Sequence, residues 1–203
     1  QALAGRPRPS RQRHQPDAPA SGSTLRALPS QQVPEPYQLA SDCERFDECV
    51  MLNGIDKMLR MMTLQTLDPT HKTPFLGERE PCIDFYEYLV RLYKLFECSS
   101  SCFVVALVYI CRVAAGQPPR LAGIPVHPWS CHRLFLVGLM VAVKQYEDEL
   151  RPNTHYAKVG GLKKEELERL EWVFAKQLNW RFSVSIEEYE IYSRLIRGAG
   201  GGS

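Results

Sequence analysis

Leu134-Phe135-Leu136-Val137-Gly138-Leu139-Met140-Val141-Ala142-Val143 is a run of ten residues without a charge or a side-chain amide. Arg133 stands before it and Lys144 directly after it. The run falls well short of the ~20 apolar residues that span a bilayer. A helix apolar on every side, and too short for a membrane, belongs at the centre of a bundle. The spacing predicts such a helix from Pro128 to about Glu147, with the rest of the fold wrapped around it.

The pattern on both sides is helical. Upstream, Ser99 to Ser101 can cap a helix over 101–115 that Gly116 and the Pro118–Pro119 pair close. Before it, Pro81 suits a first helical turn, and Phe85, Leu89, Leu92 and Phe96 make one apolar stripe. Earlier still, Ser41 and Glu44 form a capping box opening a helix over 42–62, with Leu52, Ile55, Leu59 and Met62 at helical spacing. Downstream, a loop with Pro152, Asn153, Gly160 and Gly161 leads to a helix over 163–179, striped by Leu167, Leu170, Phe174 and Leu178. Ser185 and Glu188 form a second capping box for a short last helix through Ile191 and Leu195. No stretch alternates with the period of a strand. The fold class is all-α: amphipathic helices around one central buried helix.

Three regions follow. Residues 1–36, rich in Pro, Arg, Ser and Gln, read as a disordered tail with a small basic cluster, and show no signal-peptide pattern. Residues 37–197 are the folded domain. Residues 198–203 read as a Gly-rich tail or cloning scar.

Composition excludes more than it selects. With 203 residues, 44% of them hydrophobic, the chain can build one core. A net charge of +2, with its basic excess in the tail, offers no groove for nucleic acid. The seven cysteines are odd in number and contain no CxxC pair, so no metal is expected. Several lie in apolar stretches, which fits free thiols and a cytoplasmic or nuclear setting. His127 and His132 read as cap or surface histidines. No nucleophile elbow, P-loop, HExxH or GxGxxG stands in a suitable context, so neither catalysis, a cofactor nor a small-molecule substrate is expected.

Two charges stand out. Lys144 lies four residues after Met140 and seven after Val137, on an apolar face of the central helix. Glu171 lies four after Leu167 and three before Phe174, inside an apolar stripe. Each must either snorkel to water or find a partner, because desolvating an ion costs several kcal/mol. A lysine and a glutamate on neighbouring helices can pair with each other, and their spare donors and acceptors can capture backbone groups at the end of another protein's helix.

Cys131-His132-Arg133-Leu134, then Lys144, then Asn153-Thr154-His155-Tyr156-Ala157-Lys158-Val159-Gly160-Gly161, then Glu166-Leu167-Glu168-Arg169-Leu170-Glu171, taken in this order, resemble the cyclin box. Within that family they are most similar to the single-box, phosphate-regulation-type (P/U-type) branch, over about residues 40–197. The resemblance implies one five-helix box with an extra N-terminal helix and no second box. It also implies a heterodimer with a cyclin-dependent kinase that the chain activates, without catalytic residues of its own. By position, Lys144 and Glu171 match the family's lysine and glutamate, which grip the kinase's regulatory helix. Gln145 stands where many cyclins have a large apolar residue, and Tyr146 is the candidate substitute. Ala175, Trp180 and Phe182 fall where the family offers further kinase-facing surface. Asp148, one turn after Lys144 if the helix continues, is a candidate to stand in for a phosphate beside the kinase's activation segment. Cys111 replaces an acid that usually joins a buried salt bridge, which leaves that part of the core to packing. Phosphate signalling and cell-cycle control both occur among the relatives. The alternative reading is a cyclin-fold scaffold or transcription-factor-type module without a kinase.

Overall fold

The computed structural model describes residues 47–64, 73–79, 81–116 and 122–201. The Ser41–Glu44 capping box and the 1–36 tail lie outside them. All the described helices belong to one compact unit, residues 35–203. They are α1 (Glu48–Leu64), α2 (Phe85–Leu95), α3 (Ser100–Ala115), α4 (Cys131–Tyr146), α5 (Asn153–Gly160), α6 (Lys164–Gln177) and α7 (Ile186–Gly201). Among the described residues there is no strand, and no helix is long and apolar enough to cross a membrane.

The apolar run 134–143 is enclosed as expected: eleven of the sixteen residues of α4 are buried. α3 shares the centre with it, with ten of sixteen buried, so the core is built on a helix pair rather than on one helix. Their ends are tied by one side chain. Glu147 is extended (φ −105°, ψ 142°) and stops α4. Its carboxylate Oε1 accepts the Ser99 N–H at 2.9 Å and the Cys102 thiol at 3.3 Å. Ser99 makes no side-chain cap bond of its own. An acid from α4 therefore supplies the anion that the start of α3 favours.

Several sequence expectations need correction. The 153–161 segment is not a loop: residues 153–160 form α5, closed by Gly161 in the left-handed region (φ 73°). The last helix is not short, and 198–201 are not a free tail. α7 runs antiparallel to α1 at backbone contact: a Cβ added at Gly54 would lie 2.1 Å from the Ile196 carbonyl oxygen, and one at Gly200 only 1.9 Å from that of Val50. Lys57 Nζ also donates to the Ala199 carbonyl at 3.0 Å. Glycine costs a helix about 1 kcal/mol per residue, but here it lets two helices touch. The Ser185–Glu188 box forms by half: the Glu188 N–H bonds Ser185 Oγ at 3.2 Å, while the Glu188 carboxylate turns to Arg112 at 2.5 Å. That ion pair, partly exposed, sits next to Cys111, where packing alone was expected.

The histidines also part company. His127 caps locally, its Nδ1 accepting the Trp129 N–H at 3.1 Å. His132 is no surface residue. Its ring packs against Phe85 and Tyr88 at 5.2 and 4.9 Å between centroids, and its Nε2 bonds the Ile83 carbonyl at 3.0 Å. A carbonyl only accepts, so Nε2 carries the proton. Burial lowers the His132 pKa below the ordinary 6.5, against the opposing pull of that carbonyl. Between the lowered value and 6.5 the unfolded chain binds a proton that the folded chain does not, so stability falls as pH drops through that window. Thermal unfolding should therefore occur at a lower temperature at about pH 5.5 than at about pH 7.5, and His132→Gln should shrink the difference. Identical pH slopes for the two proteins would refute this assignment.

Candidate functional site

α4 and α6 cross so that their two anomalous charges meet. Lys144 Nζ lies 2.6 Å from Glu171 Oε1, with the side chains 29% and 25% exposed. Of the two fates open to these residues, pairing is the one realised, at the surface edge of the core. An ammonium has three hydrogens and a carboxylate about four lone-pair positions, so the pair saturates neither group. The Glu171 Oε2 oxygen is approached by Asn153 Nδ2 at 3.5 Å. A second ion pair, Arg133–Glu166 at 3.2 Å, ties the other end of α4 to the first turn of α6.

The remaining candidates divide by exposure. Gln145 is exposed on the last turn of α4. Ala175 is only 5% exposed and is packed into the fold rather than offered to a partner. Tyr146 is committed within the chain: its hydroxyl donates to the Phe182 carbonyl at 3.2 Å and accepts the Val184 N–H at 3.0 Å. Its hydroxyl thereby locks the segment after α6. Asp148 does not share a helical face with Lys144, because α4 ends at Tyr146 and Glu147 is extended. Asp148 keeps an exposed carboxylate, but off the helix, so the spacing that singled it out does not apply.

Trp180 is displayed. It is 60% exposed and, like Asn179 before it, lies in the left-handed region (φ 58° and 52°). Bulky residues adopt this conformation at a cost of about 1–2 kcal/mol each. The turn is held by the Trp180 N–H bonding the Ala175 carbonyl at 3.0 Å, and the Trp180 ring stands edge-on to Phe182 at 6.1 Å. Phe182 is half-buried, and the carbonyls on either side of it are pinned as well. Tyr109 donates to the Phe182 carbonyl at 2.5 Å, and Arg112 donates to those of Arg181 and Ser183, each at 3.0 Å. Side chains of α3 and α4 thus fix the backbone that presents the indole.

One residue escaped the sequence reading. Trp172, next to Glu171, is 57% exposed, with the Lys176 ammonium 5.1 Å from its ring centroid. Its signal was present: a tryptophan outside the Leu167–Leu170–Phe174 stripe must face outward. Exposed tryptophans on one helix and its terminal turn are unusual for a solvated surface, and aromatic residues of this kind are enriched in protein interfaces. Among the described residues no group of three or more His, Cys, Asp or Glu side chains is placed to hold a metal ion.

Comparison with known proteins agrees with this architecture. A family model described as Cyclin matches residues 14–182. Cyclin-U4-1 of Arabidopsis thaliana is 37% identical over 123 residues, covering 61% of this chain and 59% of that protein. Cyclin-U1-1 of Arabidopsis thaliana is 38% identical over 118 residues, covering 58% and 54%. Cyclin-P3-1 of Oryza sativa subsp. japonica is 37% identical over 120 residues, covering 59% and 49%. The chain spans about half to three fifths of the length of these relatives. With an all-α fold, a Cyclin model matched over most of its length and relatives of both U and P type, the chain belongs to the cyclin family, in its P/U-type branch.

Proposed function

We infer that this chain is the regulatory subunit of a cyclin-dependent protein kinase, which it binds and activates by gripping the kinase's small-lobe regulatory helix. The observation that carries the reading is the Lys144–Glu171 pair: two charges drawn out of apolar helix faces to meet at 2.6 Å while remaining partly exposed. An ion pair needed only for stability contributes little at such exposure. One with unused hydrogens and lone pairs is suited to the unpaired carbonyls or N–H groups at the end of a partner's helix. Trp180, nine residues beyond Glu171 and just past the end of α6, adds a desolvating aromatic contact of the type that dominates interface energetics.

The test is reconstitution with purified cyclin-dependent kinases, reading both affinity and phosphorylation of a generic substrate. At least one kinase should be bound and activated. Trp180→Ala should weaken that complex by about 2 kcal/mol, roughly 30-fold. The melting temperature should hardly move, because the indole is mostly in solvent. Failure to bind or activate any kinase would favour a scaffold that uses the cyclin fold without one.

A further inference from the structure

Lys144 occupies one oxygen of Glu171, and the other is met from a third helix. Asn153 Nδ2 lies 3.5 Å from Glu171 Oε2 and 3.4 Å from Glu168 Oε1. Ionised carboxylates only accept, so the amide must present its NH2 group; the flipped amide would set an oxygen against two carboxylates. An asparagine at a helix start ordinarily turns its side chain onto its own backbone as a cap. Here Pro152 holds the cap position, the cap has no side-chain bond, and the Asn153 amide is directed across to α6.

The remainder of α5 is built to hold that amide in place. At its far end Gly160 sits so close to α4 that an added Cβ would lie 2.1 Å from Leu136 Cδ2. Tyr88 Oη donates to the Gly160 carbonyl at 3.3 Å, and His155 Nε2 bonds the Leu95 carbonyl at 3.0 Å. Tyr156 is fully buried, and its hydroxyl accepts the Arg151 N–H at 3.1 Å. An eight-residue helix anchored at its end and along its length is a short rigid arm, and Asn153 is its tip.

We propose that Asn153 is a positioning residue for the Lys144–Glu171 pair, and that the 153–161 segment serves to deliver it. Held from one side by an ammonium and from the other by an amide, the Glu171 carboxylate keeps a single orientation. Lys144 then keeps its remaining hydrogens directed outward. The inference rests on the kinase-binding reading above and adds a third helix to that site.

The test uses the full chain, the kinase it activates, and dissociation rates. Asn153→Ala should speed dissociation about 5- to 10-fold, as befits long hydrogen bonds to charged groups. Asn153→Asp should do more, because it sets a third carboxylate against Glu168 and Glu171. An aspartate in the first turn of a helix favours α5 itself, and thermal melting of that variant separates lost binding from any loss of fold caused by the added carboxylate. In a Glu171→Ala background, Asn153→Ala should add nothing, a coupling that a general structural role would not produce. An undiminished effect in that background overturns the positioning role. Wild-type dissociation for Asn153→Ala, while Lys144→Ala still loses the kinase, overturns this inference alone. Wild-type binding by Lys144→Ala as well overturns the kinase-binding reading.

Discussion

Lys144→Ala and Glu171→Ala are each expected to weaken the kinase complex by about 2–3 kcal/mol, a loss of roughly 30- to 150-fold. The reasoning starts from the unequal surroundings of the pair in the two states. In the free chain the side chains are 29% and 25% exposed, so water screens whichever charge is left behind. Stability of the isolated chain should therefore fall by less than about 1 kcal/mol. In the complex a partner's helix end covers the pair, and the orphaned ion is then stranded without solvent. The effect should lie in the dissociation rate, since truncating a covered charge pair acts there, whereas losing a rim charge acts on association. The double variant should lose little more than either single one, because both remove the same interaction. Surface plasmon resonance and thermal melting on the same preparations decide the matter. Losses in affinity matched by equal losses in stability would make the pair a structural bridge.

Phe174→Ala should cost the fold about 3–5 kcal/mol, the usual range for a phenylalanine removed from a core. The ring is fully buried, edge-on to Phe75 at 6.1 Å and against Gly138, where an added Cβ would lie 3.3 Å from its tip. With Leu167 and Leu170, also fully buried, it belongs to the apolar face of α6 that packs into the core. For a domain of this size the melting temperature should drop by roughly 10 °C or more. Phe174→Leu, which keeps most of the volume, should cost under about 1.5 kcal/mol. Glu171 lies one turn before Phe174, so kinase binding should decline as well, but in proportion to the unfolded fraction. A shift of less than about 3 °C for the alanine variant would contradict close packing of α6 on α4.

How far the sequence could be read depends on the range of the interaction concerned. The α3 and α4 helices were legible because their apolar residues exceed one face, and no arrangement but enclosure satisfies them. Gly116 ended α3, and Ser185 opened α7, by chemistry contained within a few residues. The resemblance carried the rest of the box, and it chose the same Lys144 and Glu171 that helical spacing sets apart from the other charges on the chain.

What escaped was decided by partners distant along the chain. α5 carries little apolar periodicity and is bracketed by Pro152 and Gly161; Tyr88 and Leu136, from two other helices, keep it helical. Residues 198–201 have a tail's composition, yet α1 holds them in a helix because two backbones can touch where Cβ atoms are missing. The reach assigned to Asp148 assumed that α4 continues, whereas the Glu147 carboxylate turns aside to the start of α3. Arg112 and Glu188 are 76 positions apart, beyond any spacing rule. Periodicity and capping are properties of a few consecutive residues, so the sequence by itself determined an all-α bundle, its central apolar helix and two charges out of place. Which groups those charges meet depends on where α4, α5 and α6 cross, and only the tertiary structure decided that Glu171 is held by Lys144 on one side and Asn153 on the other.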